Sequence, residues 1–318
     1  MRVDEIRTLL WRSISIAARL AAGVCLLAFP LRAAQTASQR TFDNPQQAKD
    51  ALVQAAEAGD VPALLAIFGP DGKDIVASGD PVDDKNGLAR FAEKAREKAQ
   101  VTFDLGDPKR AILVVGADDW PLPVPIVERN GKWRFDSKEG REEILARRIG
   151  GNELDAIALL RGYVEAQREY ASEEHDGSGM HQYAQKWISS DGKQDGLSWR
   201  NADGTQAGPM GDEIAKALAE GYTKKSEPYN GYHFRTLTAQ GPSARLGARG
   251  YIVNGMMIGG FAAIAWPANY GVTGVQTFQV NNDGIVYQKD LGPETAKIAP
   301  GIKTYNPDKT WTITEDAE

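Results

Sequence analysis

The feature that most constrains this chain is a stripe of apolar side chains at helical spacing within residues 147–187. At 100° per residue, the apolar residues between Leu154 and Tyr170 fall on one half of a helix, whereas Asp155 and Glu165 fall on the other half. We predict an amphipathic helix that begins at an Asn152 cap and buries one face. A helix of this kind needs a sheet or another helix to cover its apolar side.

The segments that follow this helix are typical of strands, because they are rich in aromatic, β-branched and small residues. A polar loop is predicted over residues 189–199, and a short helix over 209–221. Five strands are then predicted, at residues 232–238, 250–253, 260–266, 274–281 and 284–289. The Asn282-Asp-Gly284 turn predicts a tight hairpin between the last two strands.

The region before the long helix has the reverse order, with helices first and strands after them. Asn44 and Pro45 are typical of a helix start. The predicted helices cover residues 45–58, 61–68 and 86–99, and the predicted strands cover 111–115, 120–127 and 132–135. Asn130-Gly131 predicts a hairpin turn, and the prolines within 120–127 predict an edge strand.

The N-terminal residues are typical of a secretory signal peptide. Residues 1–34 contain five Arg, an apolar run over 20–31, and Ala33 and Ala34 at the end. A run of about a dozen residues is short for a membrane span, so we predict cleavage near Ala34. An uncleaved anchor is the alternative. Cleavage removes Cys25, the only cysteine, and predicts a periplasmic or extracellular protein with no membrane span.

The length of the chain predicts its domains, and its negative charge argues against nucleic acid as a partner. With 318 residues, we predict a signal peptide over 1–34 and two domains, over 35–140 and 141–318. The formal net charge is −6, and removal of residues 1–34, which carry +3, leaves −9. An acidic protein is a poor partner for phosphate backbones, so we expect no nucleic acid to bind.

Eight short motifs together resemble an exported bacterial family catalogued as domain of unknown function 2950. They are DWPLPVP (119–125), KWRFD (132–136), RRIGGNE (147–153), AQREY (166–170), DGL (195–197), GYHF (231–234), YGVTG (270–274) and GIVYQKDLG (284–292). The resemblance covers residues 42–313, and its specificity comes from the number and order of the motifs. None of them is a reaction signature, and the resemblance implies no activity.

Two further resemblances concern layout and imply an α+β fold class. The order of helices and curved hairpin in residues 35–140 resembles the cone of the nuclear transport factor 2-like superfamily. The segments NELDAIALLR (152–161), TGVQTF (273–278) and DGIV (283–286) are similar to the head of type IV pilins and type II secretion pseudopilins, a long amphipathic helix on an antiparallel sheet. A pilin begins with a processing site and a long polymerising helix, whereas we predict a cleavable signal and a separate domain at that place, so we expect a head that forms no filament.

Two sets of residues are candidates for binding. Asp191, Asp195 and Asp203 offer carboxylate oxygens in one polar segment, which predicts a calcium site, although the spacing is not that of an EF-hand loop. The alternative is that these Asp-Gly pairs only form turns. Trp199 lies in the same segment and is a candidate contact for a glycan or protein partner, with burial in a core as the alternative.

No motif indicates a nucleophile, because Gly-x-Ser-x-Gly is absent and the chain has three His. We therefore predict no catalytic residues, no cofactor other than calcium, and a non-enzymatic interaction or accessory module of the cell envelope, with an envelope protein or glycan as partner. The alternative is a periplasmic hydrolase or small-ligand-binding protein that uses a pocket in residues 35–140. Asp80, Asp83 or Asp136 would line such a pocket.

Overall fold

The structure is a computed structural model, and it describes residues 39–222 and 228–315. The predicted signal peptide at residues 1–34 lies outside this part of the chain. Among the helices of the described residues, none combines the length and the apolar character that a membrane crossing requires.

Four helices open the fold. They are α1 (Pro45–Ala58), α2 (Val61–Phe68), α3 (Lys73–Val76) and α4 (Pro81–Glu97). Asn44 accepts a hydrogen bond from the Gln47 amide at 2.9 Å, which caps α1 as its sequence predicts. The third predicted helix begins at Pro81 rather than at residue 86, because the Asp80 side chain caps it there.

An antiparallel sheet follows. Its strands are β1 (Ala99–Phe103), β2 (Arg110–Val115), β3 (Trp120–Pro121), β4 (Ile126–Arg129) and β5 (Lys132–Phe135). The order is β1-β2-β4-β5, and β3 pairs with the far end of β2. The predicted hairpin at Asn130-Gly131 is confirmed, with both residues at positive φ. The strand predicted over 120–127 is split, because prolines 123 and 125 have no amide hydrogen to donate.

The long helix α5 (Ser137–Tyr170) starts sixteen residues earlier than predicted, since its cap is residue 136 rather than residue 152. Its cap is Asp136, whose carboxylate accepts a hydrogen bond from the Glu139 amide. The prediction that Asn152 caps the helix is wrong, because the helix continues through Gly150 and Gly151, and the Asn152 amide group donates to the Thr273 carbonyl at 2.9 Å. The predicted domain boundary between residues 140 and 141 lies inside this helix.

The second half of the chain contains two short helices and twelve strands among its described residues. The first of these elements are β6 (Lys186–Ile188), β7 (Gly196–Arg200), β8 (Gln206–Ala207), α6 (Gly211–Glu220), β9 (Tyr232–Leu237), β10 (Ala239–Gln240) and β11 (Arg249–Gly250). The others are β12 (Ile252–Val253), β13 (Met256–Met257), β14 (Ala262–Pro267), β15 (Gln276–Asn281), β16 (Tyr287–Asp290), α7 (Thr295–Ile298) and β17 (Thr312–Ile313). The main sheet is antiparallel, in the order β17-β16-β15-β14-β9.

Helix α5 contributes to two hydrophobic cores. Ile144, near its start, packs against the first core, which α1, α2 and the sheet β1–β5 form. Leu160 and Tyr163 are fully buried in the second core, against β9, β14 and β15. The Tyr163 ring stacks on Trp187 at 4.6 Å between centroids. The predicted α+β class is confirmed, whereas the likeness to a cone or a pilin head stays a prediction.

Candidate functional site

A groove lies beneath α4, with a volume of about 1660 Å³. It exceeds the roughly 300–1,000 Å³ of ordinary ligand pockets. Much of its wall is apolar and comes from α1, α2, α3, α4 and one sheet connection. The larger apolar lining residues are Leu52, Leu64, Phe68, Ile75, Val76, Leu88, Phe91 and Leu122.

Helix α4 covers this groove and packs unevenly along its length. Toward the C-terminal end, Ala92 and Ala95 are buried, because alanine allows close approach to α1 and the sheet. The preceding turns carry Leu88 and Phe91, which are half-buried and line the groove. The apolar face of α4 is therefore fully buried only toward its C-terminal end, and it remains partly accessible at Leu88 and Phe91.

The N-terminal end of α4 is held by Asp80, which is 1% exposed. Its Oδ1 atom accepts hydrogen bonds from the amides of Val82 and Asp83, both at 3.1 Å. Its Oδ2 atom accepts from the Tyr222 hydroxyl at 3.1 Å and from the Gly231 amide at 2.9 Å. Burial and the nearby Asp80 charge raise the pKa of Tyr222, so the phenol keeps the proton that it donates.

The three predicted pocket carboxylates have different positions. Asp83 lines the groove and pairs with Arg90 at 3.2 Å. Asp80 lies beneath the end of α4 and is fully used by the hydrogen bonds above, whereas Asp136 caps α5 and is not part of the groove lining.

The sequence did not indicate Asp84, which also lines the groove. Both oxygens of its carboxylate accept from the Ser78 amide, at 3.1 and 2.9 Å. Burial raises the pKa of Asp84, and the opposing influences of the Ser78 hydrogen bonds and of the Arg148 charge do not cancel this effect. Asp84 is therefore a carboxylate whose charged form is poorly compensated by the protein.

One end of the groove is polar, and its side chains come from distant positions of the chain. The Asn86 amide nitrogen donates to the Glu220 carbonyl at 3.0 Å, and that of Asn230 donates to Asp155 at 2.9 Å. Asn152 lies beside them, because a Cβ placed on Gly231 would be 2.4 Å from its amide nitrogen. We call Arg148, Asn86, Asn152, Asp155 and Asn230 the polar end of the groove.

Arg148 adds a positive charge to the polar end. Its guanidinium donates to the backbone carbonyls of Asp74, at 2.6 Å, and Ile75, at 3.1 Å. Within the described residues, no carboxylate lies at ion-pair distance from it. The groove thus combines an apolar wall with a polar end that contains both donors and acceptors.

The family model described as "Protein of unknown function (DUF2950)" matches residues 39–314 of this 318-residue chain. The chain belongs to the DUF2950 family. The match includes α4, α5 and both sheets, so the groove is built from residues of the DUF2950 region. No curated protein and no solved structure matches the chain.

The candidate calcium ligands of this DUF2950 chain lie in the loops on either side of β7. Asp195 pairs with Lys186 at 2.7 Å and accepts from the Ser190 amide at 2.7 Å. Burial opposes the ionisation of Asp195, but the Lys186 and Ser190 hydrogen bonds outweigh it and lower its pKa to about 2. Asp203 accepts from the Thr205 amide at 2.9 Å, and Asp191 is exposed.

These contacts leave the calcium site a prediction. Across residues 39–222 and 228–315, no group of three or more His, Cys, Asp or Glu is placed to hold a metal ion. The Lys186 ammonium already neutralises the Asp195 carboxylate, and a calcium ion would have to compete with it.

Trp199 lies in strand β7, and the prediction that it belongs to a polar loop is wrong for residues 196–199. The ring is half-buried and lies 5.6 Å from the His175 ring between centroids. A Cβ on Gly208 would come within 2.6 Å of the indole, so a glycine at that position makes room for it. Binding of a partner by Trp199 stays a prediction.

Proposed function

We propose that this DUF2950 protein binds a small, partly apolar ligand in the groove beneath α4 and does so without catalysis. The observation that carries the proposal is the groove itself, with its volume of about 1660 Å³ and its apolar wall from four helices. A concave, largely apolar surface with a few polar groups at one end is the usual form of a small-molecule site.

The chemistry of the lining favours binding over hydrolysis. In the described part of the chain, the groove lining contains no Ser, Thr, Cys or His, which are the usual nucleophiles and bases of hydrolases. Of its carboxylates, Asp83 is paired with Arg90, and Asp84 is bound by the Ser78 amide.

Titration of the purified protein with an uncharged apolar fluorescent dye such as N-phenyl-1-naphthylamine tests the proposal. Leu88→Arg places a charge in the groove, and we expect it to abolish most dye binding. Leu154→Arg is the matched control, because Leu154 lies on α5, is 57% exposed and is not part of the lining. Circular dichroism establishes that both variants fold.

Equal dye binding by wild type and Leu88→Arg would overturn the proposal. Equal loss of binding by the two variants would overturn it as well, because the dye would then report on general surface properties. A dye signal that only Leu88→Arg loses supports the groove as the site.

We also propose that the protein acts in the periplasm or at the cell surface, after cleavage of residues 1–34. Support for this comes from the Arg-rich start, the short apolar run over 20–31 and the small residues Ala33 and Ala34. Mass spectrometry of the exported protein tests it. The expected N-terminus lies close to residue 35, and an intact residue 1 in the exported protein would contradict the proposal.

A second candidate is an accessory role in the cell envelope through contact with an envelope protein. The observation that favours it is the hairpin β12–β13 and the residue after it, where Ile252 is 38%, Val253 46% and Ile258 39% exposed. The hairpin is fixed in place, because the Tyr183 amide donates to the Met257 carbonyl at 2.9 Å.

Crosslinking in intact cells followed by affinity capture tests this second candidate. We expect one envelope protein to be recovered with wild type and lost with Val253→Ser. Leu105→Ser, at a residue that is fully exposed on the β1–β2 connection, is the control. Recovery of the chain alone would contradict the candidate.

A further inference from the structure

We propose that the ligand is an uncharged amphiphile, whose hydroxyl-bearing head lies at the polar end of the groove and whose apolar chain lies between α4 and helices α1–α3. This inference rests on the proposed function and adds the chemistry of the ligand to it.

The polar end offers acceptors to a ligand that donates hydrogen bonds. Asn86, Asn152 and Asn230 each use their amide nitrogen for one protein hydrogen bond, to the Glu220 carbonyl, the Thr273 carbonyl and Asp155, respectively. Within the described residues, no group donates to their three side-chain carbonyl oxygens. Each oxygen is an acceptor that water or a ligand must satisfy.

The polar end also offers donors to a ligand that accepts hydrogen bonds. A guanidinium has five N–H donors, and Arg148 uses two of its own for the carbonyls of Asp74 and Ile75. Its other donors bond to no group of the described residues, and Arg148 is part of the groove lining. A hydroxyl group both donates and accepts, whereas a carboxylate only accepts and an ammonium only donates.

The charges of the groove give neither kind of ion a clear advantage. Six carboxylates and five cationic side chains line it, so its formal charge is −1. Two ion pairs lie within the lining, between Asp83 and Arg90 at 3.2 Å and between Glu57 and Arg96 at 3.0 Å. An anionic head would meet Asp84 and Asp155, and a cationic head would meet Arg148.

The apolar wall gives the other half of the ligand. The half-buried side chains of Ile75, Leu88 and Phe91 keep apolar surface that an alkyl or polyprenyl chain can bury. The lining also includes Leu64 and Phe68, which are already buried. The polar end and the apolar wall belong to one continuous groove, so a single ligand molecule with a polar head and an apolar chain can contact both.

Isothermal titration with three amphiphiles of the same alkyl length tests the inference. The probes are an alkyl glucoside, an alkyl sulfate and a primary alkylammonium salt, each kept below the concentration at which it forms micelles. We expect the glucoside to bind about tenfold or more tightly than either charged probe, since each charged head leaves donors or acceptors unpaired.

Two variants locate the head. Asn86→Leu removes one acceptor at nearly the same side-chain size, and we expect it to weaken glucoside binding several-fold while the charged probes change little. Gln54→Leu on α1, outside the groove lining, is the control and should leave all three affinities unchanged. A thermal melt of each variant establishes that it is folded.

The outcomes separate this inference from the proposed function. Equal or tighter binding of a charged probe, lost in Leu88→Arg, would overturn the uncharged head and leave the groove as a ligand site. Failure of all three probes while the dye still binds in the groove would also overturn this inference alone. Failure of every probe and of the dye would overturn both.

Discussion

The Oδ2 atom of Asp80 accepts a hydrogen bond from the Tyr222 hydroxyl at 3.1 Å, although 142 positions separate the two residues. The same carboxylate begins α4 through the amides of Val82 and Asp83. One buried side chain therefore caps the helix that covers the groove and ties it to the segment after α6. The position of α4 over the groove therefore depends on Tyr222, which lies in the other half of the chain.

Tyr222→Phe removes the hydroxyl and leaves Oδ2 of Asp80 with the Gly231 amide as its remaining partner. We expect the free energy of unfolding to fall by about 1–3 kcal/mol, measured by urea denaturation. Tyr229→Phe is the matched control. The Tyr229 and Tyr222 rings lie 4.9 Å apart between centroids, and the Tyr229 hydroxyl donates to no group of the described residues. Equal losses in the two variants would contradict the role of the Asp80 bond.

Asp84→Asn should change stability in a pH-dependent way. Burial raises the pKa of Asp84, with Arg148 and Asp83 as the neighbouring charges, so the folded protein binds this proton more tightly than the unfolded chain does. The contribution of Asp84 to stability is then largest below its unfolded pKa, and it is lost as the pH rises through the folded pKa. We expect Asp84→Asn to be the more stable protein at pH 7.

The measurement is the difference in unfolding free energy between Asp84→Asn and wild type from pH 3 to pH 8. Taking the difference removes the contributions of the other carboxylates. The advantage of the variant should shrink toward zero at low pH, and an advantage that is constant with pH would contradict the assignment to Asp84.

Two glycines of α5 should respond to alanine in opposite directions. A Cβ on Gly140 would lie 2.6 Å from the Val124 Cα, so Gly140→Ala should destabilise by about 1–3 kcal/mol. A Cβ on Gly150 meets no atom within 4 Å, so Gly150→Ala should stabilise by about 1 kcal/mol through helix propensity. Thermal unfolding compares the two, and a shift of the same sign in both would refute this account of α5.

Lys186→Met tests the predicted calcium site at Asp191, Asp195 and Asp203. The Lys186 ammonium lies 2.7 Å from the Asp195 carboxylate and competes with any cation there. We expect millimolar calcium to raise the melting temperature of Lys186→Met more than that of wild type, and a chelator to reverse the effect. Melting temperatures that calcium leaves unchanged in both proteins would exclude the site.

Periodicity in the sequence predicted much of the fold, because it reports directly on which faces are buried. The helices at 45–58 and 61–68 and the hairpin at Asn130-Gly131 are confirmed. The start of α5 was missed because Gly150 and Gly151 are typical helix breakers, and nothing local shows that Asp136 can cap a helix running through them. Strand β1 was missed because Ala99–Phe103 follows directly on a helical pattern.

The groove could not be predicted in the same way, because an apolar pattern does not reveal whether the face it marks is filled by neighbours. Leu88 and Phe91 have the spacing of core residues, yet they line a cavity. Of the three candidate pocket carboxylates, Asp83 lines the groove, whereas Asp80 and Asp136 do not. Asn86, Arg148 and Asn230 have no local signal, since their common position arises only from the way α4, α5 and the segment after α6 come together.

Helix α5 fixes the angle, around its own axis, between the side chains that it contributes to the two cores. Ile144 packs against the first core and Leu160 is buried in the second, and the helical residues between them set the angle between these two side chains around the helix axis. Insertion or deletion of one residue in that interval would turn one face by about 100° relative to the other and expose apolar side chains. Insertions and deletions among relatives should therefore be confined to the loops. The number of residues in the interval 144–160 should be the same in all of them.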